Sequence, residues 1–135
     1  MRKAADSSIT IAALLADHPA HEVASEVLAA CGATIAHAAV ETYSVLTRLP
    51  APHRVDAATA AAVLEERTPA THATLDASTY GRAPARLATA GISGGATYDG
   101  LIALVALEHD LELFTRDKRA VRTYRALDVT YQLVD

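Results

Sequence analysis

Apolar positions along this chain recur in two alternating patterns, stretches at helical spacing and short runs that read as strands. Residues 9–16 and 21–30 repeat at helical spacing, with Pro19 at their junction and Gly32 as a stop. Residues 33–36 are a brief strand candidate. Val40, Tyr43, Val45, Leu46 and Leu49 continue as a helix that Pro50 and Pro52 end, and another helix spans residues 55–67. Residues 71–75 read as a strand. Residues 78–90 read as a weaker helix, because it carries Gly81 and Pro84, and Gly91 closes it.

The last third is more regular. Gly94 and Gly95 make a flexible entry, Thr97 is the expected cap, and Leu101, Ile102, Val105 and Ala106 form one face of a helix ending near His109. Residues 111–115 alternate as a buried strand, 118–127 follow as a helix, and 129–133 form a final strand. Strands alternating with helices predict an α/β fold of three layers, α/β/α, around a short central parallel β-sheet with right-handed crossovers.

Composition narrows this picture. The chain has 135 residues, the length of one domain, and 51% are apolar, yet it holds one Phe, five Tyr and no Trp. Its core must therefore be built from Ala, Leu, Val and Ile at close approach. Cys31 stands alone, and no signal segment or membrane-length apolar run is visible, so a cytoplasmic protein without membrane attachment is expected. A net charge of −4 argues against general nucleic-acid binding. Against that average, Arg116, Lys118, Arg119, Arg122 and Arg125 share a short window with Asp117 as its single acid. Such a window is either a solvated helix face or a surface for phosphates.

Four acids stand where chemistry is expected. In open α/β sheets ligands bind beyond the carboxyl ends of the strands. Asp117 follows the strand at 111–115, Asp6 follows residues 1–5 if these form the first strand, Glu41 lies early in the helix after the second, and Asp99 lies in the first turn of its helix. If they converge, each raises the pKa of the others, and helix amino-termini offset only roughly 0.3 to 1 kcal/mol apiece. A hard dication, Mg²⁺ or Mn²⁺, is the natural counter-charge for oxygen ligands. Taken singly, Asp6, Asp99 and Asp117 read equally well as helix caps and Glu41 as a solvated helix residue.

With these residues in place the chain resembles the PIN-domain ribonucleases, and among them the VapC toxins of bacterial VapBC toxin–antitoxin pairs. The resemblance rests on "DSSITIAALL" from Asp6, "HAAVETYSVLTRLP" around Glu41, "GGATYDGLIALVA" around Asp99 and "LFTRDKRAVRTYRALDV" around Asp117, in the family's order and over nearly the whole chain. It implies one PIN domain over residues 1–135. The activity implied is an Mg²⁺- or Mn²⁺-dependent endoribonuclease that inhibits translation, with Asp6, Glu41, Asp99 and Asp117 as catalytic and metal-binding acids. Ser8, or Ser7, and Thr115 would support the carboxylates. Arg116, Lys118, Arg119 and Arg122 are candidates to hold RNA phosphates. A VapB-like antitoxin and a homodimer are the implied partners, and a catalytically inactive PIN-like binding module is the alternative. One departure stands out: "MRKAAD" leads to Asp6 through a basic pair and two alanines where the family usually has β-branched residues, a poor strand by propensity.

Other chemistries find little support. His18, His21 and Glu22 lack the HExxH spacing and Pro19 disturbs their alignment, and there is no GxSxG elbow, Walker loop or GxGxxG turn. Cys31, expected at an apolar helix end, reads as packing. Leu14, Leu15, Val23, Val27 and Leu28 carry more apolar surface than a small sheet covers, which suggests a groove for an antitoxin segment.

Overall fold

A computed structural model describes residues 1–135. In chain order the elements are β1 (Arg2–Ala5), α1 (Ser7–Leu14), α2 (His21–Ala29), β2 (Thr34–Ile35), α3 (Ala36–Arg48), α4 (Ala57–Arg67), β3 (His72–Ala73), α5 (Ala77–Thr89), α6 (Ala96–Glu108), β4 (Leu111–Thr115), α7 (Lys118–Ala126) and β5 (Tyr131–Leu133). All strand pairs are parallel. They form a three-stranded sheet in the order β1-β4-β5 and a two-stranded sheet of β2 and β3. The two abut where Gly32 N donates to Lys3 O at 2.9 Å, so β2 runs beside β1.

Side-chain alternation on the central strands builds the layers. Ala4 and Leu113 face a large core shared with α5, α6 and α7, while Ala5 and Phe114 face a smaller one beneath α1 and α2. Alanine makes the close approach possible, with Ala12, Ala13 and Ala24 fully buried where α1 and α2 meet the sheet. α6 is buried on every side from Gly100 to Ala106, not on the single face that the spacing of Leu101, Ile102, Val105 and Ala106 predicts, because sheet and helices pack around it. Gly100 sits where a Cβ would lie 2.5 Å from Leu87 Cδ2, so α5 and α6 pack through the missing side chain.

Residues 2–5 form a strand despite their composition. β1 lies between β4 and β2, in register from Arg2 opposite Leu111 to Ala5 opposite Phe114. The Lys3 ammonium lies 5.4 Å above the Phe114 ring, and the two alanines are what both helix layers can accept. Tertiary pairing overrides propensity here. α5 likewise runs through Gly81 and Pro84, held by the buried Ala83 and Leu87 on its inner face.

Three local expectations need correction. Thr97 does not cap α6: it lies inside the helix, and the cap position is Gly95, whose missing side chain leaves the first amides without a side-chain acceptor. Cys31 lies beyond the end of α2, where its Sγ donates to Val27 O. Leu14, Leu15, Val23 and Val27 are half-buried and Leu28 is buried, because α1 and α2 cover one another; the exposed large apolar side chains lie elsewhere, among them Val40 and Tyr43 on α3. No helix is long and apolar enough to cross a membrane.

Candidate active site

The register of β1 against β4 builds the floor of the site. Ala5 pairs with Phe114, so Asp6 and Thr115 follow side by side at the carboxyl edge, and Asp6 N donates to Phe114 O at 3.0 Å. The chain leaves β1 toward β2 on one side while β4 lies on the other, which makes this the point where strand order reverses and α/β sheets open a crevice.

Asp6 is 2% exposed and fully engaged. It caps α1, its Oδ1 accepting from Ser8 N at 3.0 Å and from Ser8 Oγ at 2.5 Å, and its Oδ2 accepts from Tyr124 Oη at 2.7 Å. Burial nonetheless drives its pKa above the ordinary carboxylate range, against hydroxyl bonds from Ser8, Thr115 and Tyr124 and the Ile9 amide, which lower it.

Ser8 and Thr115 lie where the resemblance put them. Their hydroxyls are 3.3 Å apart; Ser8 Oγ accepts from Arg116 N at 2.8 Å and Thr115 Oγ1 from Asp117 N at 3.0 Å. This network ties the first turn of α1 to the end of β4. Ser8, rather than Ser7, contacts the carboxylate. Asp117 caps α7, accepting from Arg119 N at 2.9 Å, with Arg119 Nε 3.5 Å from the same Oδ1. The capping reading thus holds for Asp6 and Asp117, but it uses only one oxygen of each.

Asp99 and Glu41 complete the cluster from the other side. Asp99, in the first turn of α6, has its pKa pushed up to about 6, first by burial and then by the charges of Asp6, Asp117 and Glu41, with Arg119 opposing. The Glu41 pKa is raised by burial and by Asp6, and its Oε1 is buried without a hydrogen-bond partner. Asp99 thus feels the charge of the other three acids, and Glu41 that of Asp6. No three acidic, histidine or cysteine side chains close around a common point as direct ligands. The four carboxyl groups are oxygen donors of the kind a hard dication takes.

The basic residues separate. Arg119 stands by Asp117 and Asp99, and Arg116 is half-buried with Nε unpartnered. Lys118 is exposed, Arg122 lines a cleft with Ser93 and Ala96 at the α5–α6 turn, and Arg125 donates to Tyr131 Oη at 2.8 Å.

Three residues escaped the sequence reading. Tyr124 is 0% exposed and supplies the Asp6 donor. Its own pKa is driven far up, by burial first and then by Asp6, so it stays a donor. Its place on the inner face of an Arg-rich helix was the available signal, and that signal reads equally as core. His37 and Tyr98 stack with ring centroids 5.9 Å apart and planes 8° from parallel. Glu41 stands four positions after His37 on α3, a spacing that could have flagged the histidine, and Tyr98 directly precedes Asp99.

Elsewhere the titratable groups have local duties. His18 Nδ1 accepts from Ala20 N, and His21 Nδ1 lies 3.2 Å from Ala12 O. Burial raises the Cys31 thiol to about 11, which keeps it protonated and inert.

Comparison with known proteins agrees with this geometry. The PIN domain family matches residues 4–126. Ribonuclease VapC40 of Mycobacterium tuberculosis is 44% identical over 97% of this chain and 98% of its own. Ribonuclease VapC27 of the same organism is also 44% identical, over 93% of this chain and 92% of its own. A three-layer fold, a family match over most of the chain and relatives matched over nearly their full length lead to one assignment: the chain belongs to the PIN domain family, in the company of its VapC members.

Proposed function

We propose that this protein is a divalent-metal-dependent endoribonuclease, the toxin of a type II toxin–antitoxin pair that inhibits translation. The observation that carries the reading is the placement of Asp6, Glu41, Asp99 and Asp117 around one edge of the sheet, where burial raises the pKa of Asp6, Glu41 and Asp99 and neighbouring acids raise that of Glu41 and Asp99 further, a charge crowding that a bound cation would relieve. The ribonuclease names of the relatives support the substrate class.

Asp6, Glu41, Asp99 and Asp117 would hold the ion, Mg²⁺ or Mn²⁺. When bound, it supplies Lewis acidity toward water and phosphate oxygens and offsets charge in the transition state. Tyr124 and Ser8 hold Asp6 in one rotamer, Thr115 and the first turn of α7 do the same for the Asp117 segment, and Glu41 keeps one oxygen free. Arg116, Lys118, Arg119 and Arg122 take the RNA phosphates beside the acids. A VapB-like antitoxin restrains the enzyme, and two copies pair as a homodimer.

Cleavage of end-labelled single-stranded RNA tests the reading. The protein is expected to cut internally with Mg²⁺ or Mn²⁺, to stop in EDTA, and to be inactive as Asp99→Asn. Cutting that survives EDTA, or equal rates for the variant and the wild type, would overturn it.

A further inference from the structure

Aromatic rings are scarce in this molecule, and one of them is left open at the edge of the acids. Tyr98 is 55% exposed although its neighbour Asp99 is half-buried in the cluster. Its ring lies in an offset, near-parallel stack with the imidazole of His37. Stacked near-parallel rings leave an outer face flat and accessible, the shape on which a planar base lies. Cation and phosphate chemistry belongs to the acids and to Arg116 and Arg119; the two flat rings beside them suit the planar base of a nucleotide.

We propose that His37 and Tyr98 form a nucleobase subsite at the mouth of the acidic cluster, taking one unstacked base of single-stranded RNA next to the phosphate held there. The inference rests on the ribonuclease reading for its substrate class. Tyr98 supplies the stacking face, and His37 is a positioning residue that backs the ring and fixes its tilt. Duplex RNA keeps its bases stacked inside, so the subsite favours single strands.

Photo-cross-linking tests it. Single-stranded oligoribonucleotides carrying 5-iodouridine at successive positions are irradiated with the full-length protein in Ca²⁺, and the modified peptide is identified by mass spectrometry. A cross-link to the peptide containing Tyr98 is expected, kept in Tyr98→Phe and lost in Tyr98→Leu. Affinity for the same RNA should fall roughly tenfold in Tyr98→Leu, the scale of one lost base–aromatic stack, while its thermal midpoint stays at the wild-type value. Cross-links confined to other segments, or equal affinity in Tyr98→Leu, would overturn the subsite. If the cross-linked strand is bound but stays uncut when Mn²⁺ replaces Ca²⁺, the ribonuclease reading fails and the base subsite stands.

Discussion

The two sides of the acidic cluster are built on opposite terms. On the β1–β4 side, Asp6, Ser8, Thr115, Asp117 and Tyr124 form a closed network in which both Asp6 oxygens have donors. On the α3–α6 side, Glu41 Oε1 and His37 Nε2 are buried with no partner. Buried polar atoms without partners are costly and rare in folded proteins. Arg116 Nε is the exception on the β1–β4 side; otherwise that side is fixed by the fold's own hydrogen bonds, whereas the α3–α6 side holds its acids with fewer of them.

Breaking the α3–α6 side should have the largest effect on function and little on folding. Asp99→Asn is expected to lower RNA cleavage by at least about a hundredfold, the scale on which single electrostatic groups act in such sites. Its fold, followed by circular dichroism, should be unchanged. Breaking the closed side through Tyr124→Phe keeps the ring packed and removes only the donor to Asp6 Oδ2. Cleavage should fall roughly 10- to 100-fold, the usual consequence of losing a group that orients a ligand. A rate equal to wild type would show that Asp6 needs no such orientation.

Thermal unfolding of Asp6→Asn sharpens the contrast. The folded-state pKa of Asp6 is raised, so the folded protein holds its proton more tightly than the unfolded chain does. Its contribution to stability is present below the unfolded pKa and is lost as pH rises through the folded value. At neutral pH without metal, the uncharged Asn should therefore raise the melting temperature by a few degrees, with the difference shrinking as pH falls toward 4. Added Mn²⁺ should stabilise the wild type and not the variant. A variant less stable than wild type at neutral pH would mean that the hydroxyl network outweighs the desolvation.

The smallest effect separates two duties of one residue. Asp117→Ser keeps an oxygen able to accept from the Arg119 amide, so stability should change by less than about 0.5 kcal/mol, while Asp117→Ala should cost about 1 kcal/mol as the cap is lost. Cleavage should suffer in both, because neither carries the charge.

Much of this was open to reading in the chain alone. Amphipathic spacing located α3, α4, α6, α7 and β4 to within a few residues, and the four acids were visible because each stands at a strand end or in an early helical turn. The strand before Asp6 was only weakly legible, because Arg2, Lys3, Ala4 and Ala5 are held as a strand by their neighbours on both sides and not by their own preferences. Thr97 misled: a threonine shortly after two glycines looks like a cap, and only the observed start of α6 shows that Gly95 holds that place.

By itself, the order of apolar and polar residues determined the alternation of strands and helices, the small-residue core, and which carboxylates lie near strand ends, because these follow from periodicity and local backbone preference. Tertiary structure alone decided that Asp99 feels the charge of the other three acids, that Tyr124 reaches Asp6 across 118 positions of chain, and that Tyr98 stacks with His37. Distances between segments are set by strand register and helix packing, and the pKa of a buried acid depends on those distances far more than on its neighbours in sequence.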